Sequence, residues 1–570
     1  MRFIVLRVVF FLGFTLLGLG LFRTQVIEGR NYRKLSEQNR VRLIPLEAPR
    51  GRVFDRQGHL LATNRPSYDV VATPEDITPE VFSLLSELLK MPEKEIRKRM
   101  SAPREYPFAP ALIKDDIPRD LVFKIEERRP DLPGVDIQIS FLRYYPYQET
   151  ASHLIGFIGK INEDEYKKAD HERFGMNSLI GRAGIEKIYD ERLRGWRGGR
   201  QIEVNARGQL MRVLSEKIPQ PGEDLTVAID LEFQKKIMGI IHDKHASVAV
   251  LDLENDGLLA LASAPAYDPN VFVSPQRAKE RLGFLRDSDA PLLDRGVSSA
   301  YPPGSVFKLV TALVALETGK ITPNTRFHCT GSFRLKPGAR PYKCWNAKGH
   351  GSLNLYEALE RSCNVYFYNI GAKTSPEEIA KYARELGLGE PMQLEATNIA
   401  PGLVPDSTWK ESRLHEKWYQ GETLSFAIGQ SYLMVSPIQV LRLTSIIAKN
   451  GLRVEPRLLE EKDERPAPTR IAIHEENLNV IKRGMLQVVQ SDYGTGQLAR
   501  VDFDKLAAKT GTAQAPPNKA HSWMTGFFPY EHPKIAFVVF VEHGGPGGVT
   551  GAAIVKEMLQ IWRRDVAKMV

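Results

Sequence analysis

The sequence predicts an α+β chain in three parts: an N-terminal transmembrane helix, an extended intermediate domain, and a C-terminal domain with an antiparallel sheet packed against helices. Three observations predict it. An apolar run, FIVLRVVFFLGFTLLGLGLF, extends from Phe3 to Phe22. The composition changes at Pro219-Gln-Pro-Gly222. Beyond that point, hairpin strands lie at both ends of the chain with helices between them.

The apolar run has about the length that spans a bilayer as a helix and is interrupted only by Arg7. A cleaved signal peptide is the competing reading, because Val8 to Phe22 is short enough for one. The following RTQVIEGRNYRKL offers no small-residue cleavage site, which favours an uncleaved anchor over residues 1–23. Arg2 and Arg7 precede or interrupt the run while Arg23, Arg30, Arg33 and Lys34 follow it, so charge leaves the orientation open.

Residues 24–222 mix alternating strands, YDVVAT (68–73) and VDIQISFL (135–142), with helical patterns, VFSLLSELLK (81–90) and DLVFKIEERR (120–129). This reads as an extended α+β region rather than one tight core. DLTVAIDLEFQKKIMGII then opens a domain over 223–570 with a strand and an amphipathic helix. SVAVLDLENDGLLALASAP (247–265) alternates like two strands around Asn255-Asp256-Gly257, a hairpin turn. YPPGSVFKLVTALVALETG (301–319) reads as a helix entered through Pro302-Pro303-Gly304. LAAKTGTAQ (506–514), HSWMTGFFP (521–529) and KIAFVVFVEHG (534–544) read as three consecutive strands.

A hydrophobic content of 42% over 570 residues allows a large core, so the chain is not a small disulfide scaffold. The net charge of +9 suits a surface near something anionic, a membrane or a nucleic acid. No Gly-rich phosphate loop, zinc-finger spacing or RNA-binding aromatic signature appears, which argues against nucleic acid. The basic run Arg192, Arg194, Arg197 and Arg200 reads as a solvated face.

The chemistry begins at Ser305-Val-Phe-Lys308. A serine in the first turn of a helix lies where backbone N–H groups favour developing negative charge. A lysine three residues on shares its face and, if desolvated, acts as a neutral base. The spacing alone is weak: Ser407-Thr-Trp-Lys410 repeats it in a polar stretch that offers no buried helix. Ser362-Cys-Asn364 sits at a helix-to-helix junction where two polar side chains can face a cleft. Its decoy, Ser352-Leu-Asn354, reads instead as a helix N-cap at Asn354. Lys509-Thr510-Gly511-Thr512 lies in a strand of small residues. There Gly511 admits a substrate backbone, the hydroxyls can bind a carboxylate, and a strand N–H can complete an oxyanion hole. His521 and Trp523 follow that strand and read as structural neighbours before cleft residues.

In that order, Ser-x-x-Lys, Ser-x-Asn and Lys-Thr-Gly, the motifs resemble those of the penicillin-binding protein and serine β-lactamase superfamily. RGRVFDRQGHLLATN (50–64) and GRAGIEKIYDERLRG (181–195) look like the pedestal of class B penicillin-binding proteins. YPPGSVFK, SCNVYFYNIG, IGQSYLMVSPIQV (428–440) and KTGTAQ look most like the penicillin-binding protein 2 family of elongation transpeptidases.

The resemblance implies a penicillin-binding transpeptidase domain that cross-links peptidoglycan stem peptides through a serine acyl-enzyme and is trapped by β-lactams. In it Ser305 would be the nucleophile and Lys308 the base of acylation. Ser362 would relay the proton to the leaving D-alanine, and Asn364 would bind the substrate amide. Lys509 would supply positive charge, Thr510 and Thr512 would grip the terminal carboxylate, and the N–H groups of Ser305 and Thr512 would form the oxyanion hole. No catalytic cofactor is implied. The resemblance also implies a single-pass anchor in the cytoplasmic membrane, a catalytic domain on its outer, periplasmic side, and a rod-shape-type polytopic glycosyltransferase as partner of the pedestal.

Other readings compete. A β-lactamase would need a base for deacylation, and no clear Glu-containing loop of that kind is seen. A D,D-carboxypeptidase differs only in whether water or an amine resolves the acyl-enzyme. A non-catalytic scaffold for the glycosyltransferase would not need Ser305, Lys308 and Lys509 together.

All the cysteines, Cys329, Cys344 and Cys363, fall in one region with His350. Three thiolates and an imidazole are a donor set that structural zinc prefers. If Ser362 and Asn364 face the cleft, Cys363 between them should point behind it. A Cys329–Cys344 disulfide with Cys363 free, or three packed thiols, are the alternatives. Some members of the penicillin-binding protein 2 family resemble the first reading, carrying zinc in the corresponding segment.

Overall fold

The computed structural model describes the chain apart from residues 1, 31, 33–40, 103–109, 172, 205–209, 393, 395–397, 461–466, 518 and 568–570. Arg33 and Lys34, two of the charges weighed for orientation, lie outside the described residues. The apolar run forms a helix, Arg2–Phe22. Phe3 to Ile27 is long and apolar enough to cross a membrane, and none of it is buried within the protein. Large side chains such as Phe11 and Phe14 are left facing outward. A helix apolar on every side and unburied among the described residues has the length and composition of a membrane span.

The pedestal follows the expected pattern. Strands Leu60–Ala72 and Val135–Tyr144 run antiparallel, and helices Pro79–Leu89 and Arg119–Glu127 pack nearby. The first strand is longer than its apolar stretch because it pairs with three partners, Val53–Phe54, Ala111–Lys114 and Val135–Tyr144. Val70, Leu85, Ile96, Ile113 and Ile125 form a separate core for this lobe. The pedestal base has no core of its own: Val53, Leu61, Tyr145, Leu154, Ile185 and Leu193 belong to the same apolar cluster as Leu251, Leu309 and Phe540 of the C-terminal domain.

The two sequence stretches that resemble a pedestal meet at this base. Arg50 Nε lies 2.6 Å from one oxygen of Glu186, and Arg143 Nε lies 2.6 Å from the other. Glu186 is fully buried, and burial pushes its carboxyl up, but the charges of Arg143 and Arg50 more than offset this and hold it low. Arg143 also donates to the Gly51 carbonyl at 2.6 Å, and Arg50 pairs with Asp190 at 2.8 Å.

The basic run is not the solvated face expected of it. Only Arg192 and Arg200 are substantially exposed; the side chains of Arg194 and Arg197 are 9% and 8% exposed. Arg194 pairs with Asp190 and stacks on Phe174, and Arg197 pairs with Glu47 at 2.9 Å. Glu47 and Phe174 are distant in sequence, which is why the run by itself reads as surface.

The C-terminal domain is built on a five-stranded antiparallel sheet in the order Leu258–Ala264, Ala246–Asp252, Ile535–Val541, His521–Phe528, Ala507–Ala513. The expected hairpin and late strands are all present, and Asp256 at the turn takes the left-handed conformation, φ 63°. Both faces are covered. Leu231–Ile241 and Thr550–Ile561 pack Ile237, Val555 and Met558 against Val250, Phe537 and Val539. Lys308–Glu317, Pro437–Ala448 and Glu475–Gln490 pack Leu309, Leu441 and Ile481 with Leu251, Val538 and Phe540. Sandwiching buries every residue of four of these strands, both faces alike, which the alternation read at 247–265 does not anticipate. The expected 301–319 helix starts later: Gly304–Phe307 is a tighter turn, and the α-helix spans Lys308–Glu317.

Removing Glu186 leaves two guanidiniums buried without their carboxylate. Glu186→Ala is expected to cost about 3–5 kcal/mol; a urea midpoint unchanged from wild type would refute the role given to this pair.

Candidate active site

The turn carrying Ser305 is clamped from two sides. Gly304 has φ +54°, and a Cβ there would lie 2.7 Å from the Thr512 carbonyl oxygen. Its N–H donates to the Gly429 carbonyl at 2.9 Å, and Gly429 in turn has no room for a Cβ against Gly304. Trp523 Nε1 donates to the Pro302 carbonyl at 3.0 Å. Ser305 is therefore presented half-buried at the start of a helix, beside the edge strand Ala507–Ala513. The N–H groups at such a start have no helical acceptor and point toward developing charge.

Lys308 is fully buried and reaches Ser362 and Asn364 together. Its Nζ donates to the Ser362 carbonyl at 2.7 Å, to Asn364 Oδ1 at 2.7 Å and, more weakly, to Ser362 Oγ at 3.3 Å. Burial lowers its pKa to about 8, with the nearby thiols of Cys363 and Cys344 pulling the other way. Lys509, also fully buried, donates to the same Ser362 Oγ at 3.0 Å and to the Thr510 carbonyl at 2.9 Å. Burial, and then the charge of Lys308, push it well below an ordinary lysine. A hydroxyl that accepts from both amines has used both lone pairs, so its own proton is free to point into the cleft.

Ser362 occupies this position at a conformational cost: its φ is +52°, in the left-handed region. It is held there because the helix Leu355–Glu360 ends just before it and Cys363 caps the helix Asn364–Lys373 just after it.

The remaining predicted residues divide. Thr512 is exposed, and its Oγ1 accepts from Gly547 N–H at 3.2 Å. Thr510 Oγ1 shares a hydrogen bond of 2.7 Å with Thr495 Oγ1. Gly511 corrects the expectation. The space its Cβ would need is filled by Trp523, Val306 and Pro303, at 2.9, 2.9 and 3.0 Å, so this glycine lets the strand press on the serine turn rather than admitting a substrate. Thr495 and Gly429 escaped sequence reasoning as site residues; the only local signals were the small residues of YGTGQ and IGQ.

The decoys resolve clearly. Asn354 caps its helix by accepting from Glu357 N–H at 3.0 Å. Ser407–Leu414 is a helix and the Lys410 side chain is buried, contrary to the expectation of no buried helix. Its Nζ lies 2.7 Å from Glu422 and 3.2 Å from Glu416, and Glu422 above all raises its pKa and keeps it charged. His521 and Trp523 are structural, buried against Tyr301 and Phe540.

Cys329, Cys344, His350 and Cys363 converge, with their donor atoms all within 4.8 Å of one another. His350 Nδ1 lies 3.6 Å from the sulfurs of both Cys329 and Cys344. Zinc bound tetrahedrally at about 2.3 Å to sulfur and about 2.0 Å to nitrogen would hold S and N about 3.6 Å apart, the spacing that His350 Nδ1 keeps to two of the three sulfurs. His350 Nε2 is buried without a partner. Cys344 is pulled low by Cys363 and His350, while Cys344 and burial push Cys363 up. The cluster lies behind the Ser362 turn. Around it, Trp345 Nε1 donates to the Arg361 carbonyl at 3.0 Å, and Asn364 Nδ2 donates to the Lys343 carbonyl at 3.3 Å.

Two family models match the chain: a penicillin-binding protein dimerisation domain over 45–227 and a penicillin-binding protein transpeptidase domain over 246–560. The peptidoglycan D,D-transpeptidase MrdA of Escherichia coli strain K12 is 31% identical, covering 93% of this chain and 89% of its own. A solved structure of penicillin-binding protein PBP2 in complex with MreC, from Helicobacter pylori, matches with TM-score 0.84 and 30% identity, covering 92% of this chain and 99% of that one. A chain from a peptidoglycan synthase complex that coordinates polymerization and crosslinking matches with TM-score 0.73 and 29% identity, covering 98% and 97%.

Gly304→Ala would force a side chain into the left-handed region and against the Thr512 carbonyl. A loss of about 1–3 kcal/mol is expected, read as a lower melting temperature; a neutral substitution would mean that the turn is not clamped as described.

Proposed function

The chain belongs to the penicillin-binding proteins, with a dimerisation domain followed by a transpeptidase domain, and from that premise we propose how its side chains carry out peptidoglycan D,D-transpeptidation. It is a serine-type transpeptidase. Ser305 Oγ attacks the carbonyl between the last two D-alanines of a donor stem peptide. Lys308, neutral in an appreciable fraction because burial holds it near 8, takes the proton. The N–H groups of Ser305 and Thr512 receive the oxyanion, and Thr510 and Thr512 hold the terminal carboxylate near Lys509. Ser362 passes a proton to the departing D-alanine nitrogen. The amine of an acceptor strand then attacks the acyl-enzyme and releases Ser305. The observation that carries these roles is the convergence of two buried lysines on one serine hydroxyl, at 3.3 and 3.0 Å, next to a serine at a helix start.

The N-terminal helix fits a single-pass membrane anchor. The catalytic domain is read as lying outside the cytoplasmic membrane, where stem peptides are, with a rod-shape-type glycosyltransferase as partner. The matched chain of a complex that coordinates polymerization and crosslinking supports this, as does the relative bound to MreC.

Cys329, Cys344, His350 and Cys363 are read as a structural zinc site. The ion would cross-link the 329–350 excursion to the turn of Ser362, outside the chemistry.

Two outcomes are expected. Fluorescent penicillin labels the wild-type protein covalently and does not label Ser305→Ala; the labelling rate rises with pH and levels off above about 8, because Lys308 must lose its proton to act. Label surviving in Ser305→Ala, or a rate that falls with rising pH over this range, would contradict the assignment. Metal analysis of purified protein yields stoichiometric zinc with no thiol titratable before unfolding. A disulfide between Cys329 and Cys344 with one free thiol and no zinc would reject the ion.

A further inference from the structure

Arg361 immediately precedes Ser362. Its guanidinium lies over the ring of Tyr493 at 4.4 Å, and its Nε is buried without a hydrogen-bond partner. Its carbonyl accepts from Trp345 Nε1 at 3.0 Å. Trp345 and Tyr493 are large aromatics, yet they are 62% and 68% exposed. Exposed single aromatics are ordinary; here one lies against a guanidinium and the other holds the carbonyl of the same residue, next to Ser362, which marks a recognition surface.

The shelf is fixed to the active site at both ends. Tyr493 lies two residues before Thr495, whose hydroxyl meets Thr510 at 2.7 Å and whose N–H donates to the Glu360 carbonyl at 3.2 Å. Trp345 follows Cys344 and packs on His350, 5.1 Å between ring centres. Arg361 thus adjoins Ser362 in the chain and is linked to Thr510 through Tyr493 and Thr495.

The position decides what reaches it. A donor stem peptide ends at its carboxylate, which the reading above places at Thr510 and Thr512, so the departing D-alanine has no chain beyond that grip. An acceptor enters where the D-alanine left, and its chain continues onto the surface flanking the grip. A guanidinium there matches a carboxylate with paired hydrogen bonds, and the Tyr493 ring against it fixes its orientation.

We propose that Arg361, with Trp345 and Tyr493, forms the acceptor-strand subsite and selects amines that carry a carboxylate on the chain distal to the attacking nitrogen. The assignment rests on the transpeptidase reading. In the step it serves, the acceptor nitrogen bonds to the acyl carbonyl carbon, the bond from that carbon to Ser305 Oγ breaks, and the proton lost by the amine returns to Oγ by way of Ser362.

The test uses the full-length protein and an acyl-D-alanyl thioester donor, with D-2-aminoadipate or its distal monoamide as acceptor. The ratio of aminolysis to hydrolysis product is measured, which cancels differences in active fraction. Wild type is expected to favour the dicarboxylate by about tenfold. Arg361→Gln removes the preference and Arg361→Lys keeps part of it; Tyr493→Ala, which leaves Arg361 in place, weakens it. Equal ratios for the two acceptors in wild type, or a preference that survives Arg361→Gln, would overturn the subsite while leaving transpeptidation intact. Failure of wild type to form an acyl-enzyme from the donor would overturn the transpeptidase reading and the subsite with it.

Discussion

Two lysines that water does not reach converge on the hydroxyl of Ser362, and the catalytic cleft depends on that arrangement. An ammonium in such a place is costly unless paired, and no carboxylate sits beside either lysine among the contacts described. The protein answers with carbonyl and amide oxygens that satisfy the amines without fixing their charge. The result is a pair of lysines whose protons are held less tightly than in water, Lys308 near 8 and Lys509 well below an ordinary lysine.

Holding Ser362 between the lysines requires support from several directions. The left-handed backbone is imposed by two helix termini, and the excursion from Cys329 to His350 reaches the turn from behind through Cys363, Arg361 and Asn364. On the opposite wall, Gly304 and Gly511 remove the side chains that would part the serine turn from its edge strand. The site is precise because it lies on packed elements, not on free loops. At a larger scale, the pedestal base shares one apolar cluster with the catalytic domain, while Glu186 between Arg50 and Arg143 ties the base together from within.

The two Ser-x-x-Lys matches separate pattern from environment. Ser305 and Ser407 both begin a helical segment, and Lys308 and Lys410 are both buried. Lys410 faces Glu422 and Glu416 and stays charged; Lys308 faces neutral oxygens and is lowered. Carboxylates contributed from outside the motif keep one lysine charged, and their absence beside the other, among the described residues, leaves burial to lower it.

The sequence by itself determined the long apolar N-terminal helix, the alternation of strands and helices, and the order of the three motifs, because each rests on local periodicity or on residues a few positions apart. Its hairpin at Asn255-Asp256-Gly257 and its late strands stand where the pattern put them. Only the tertiary structure decided what lies beside each residue. It buried Arg194 and Arg197, which a run of charges presents as surface, because Phe174, Asp190 and Glu47 fold onto them. It turned Gly511 toward Val306 instead of a substrate, and it brought Thr495 to Thr510. Burial and charge pairing are properties of neighbours distant in the chain, and no spacing within a motif encodes them.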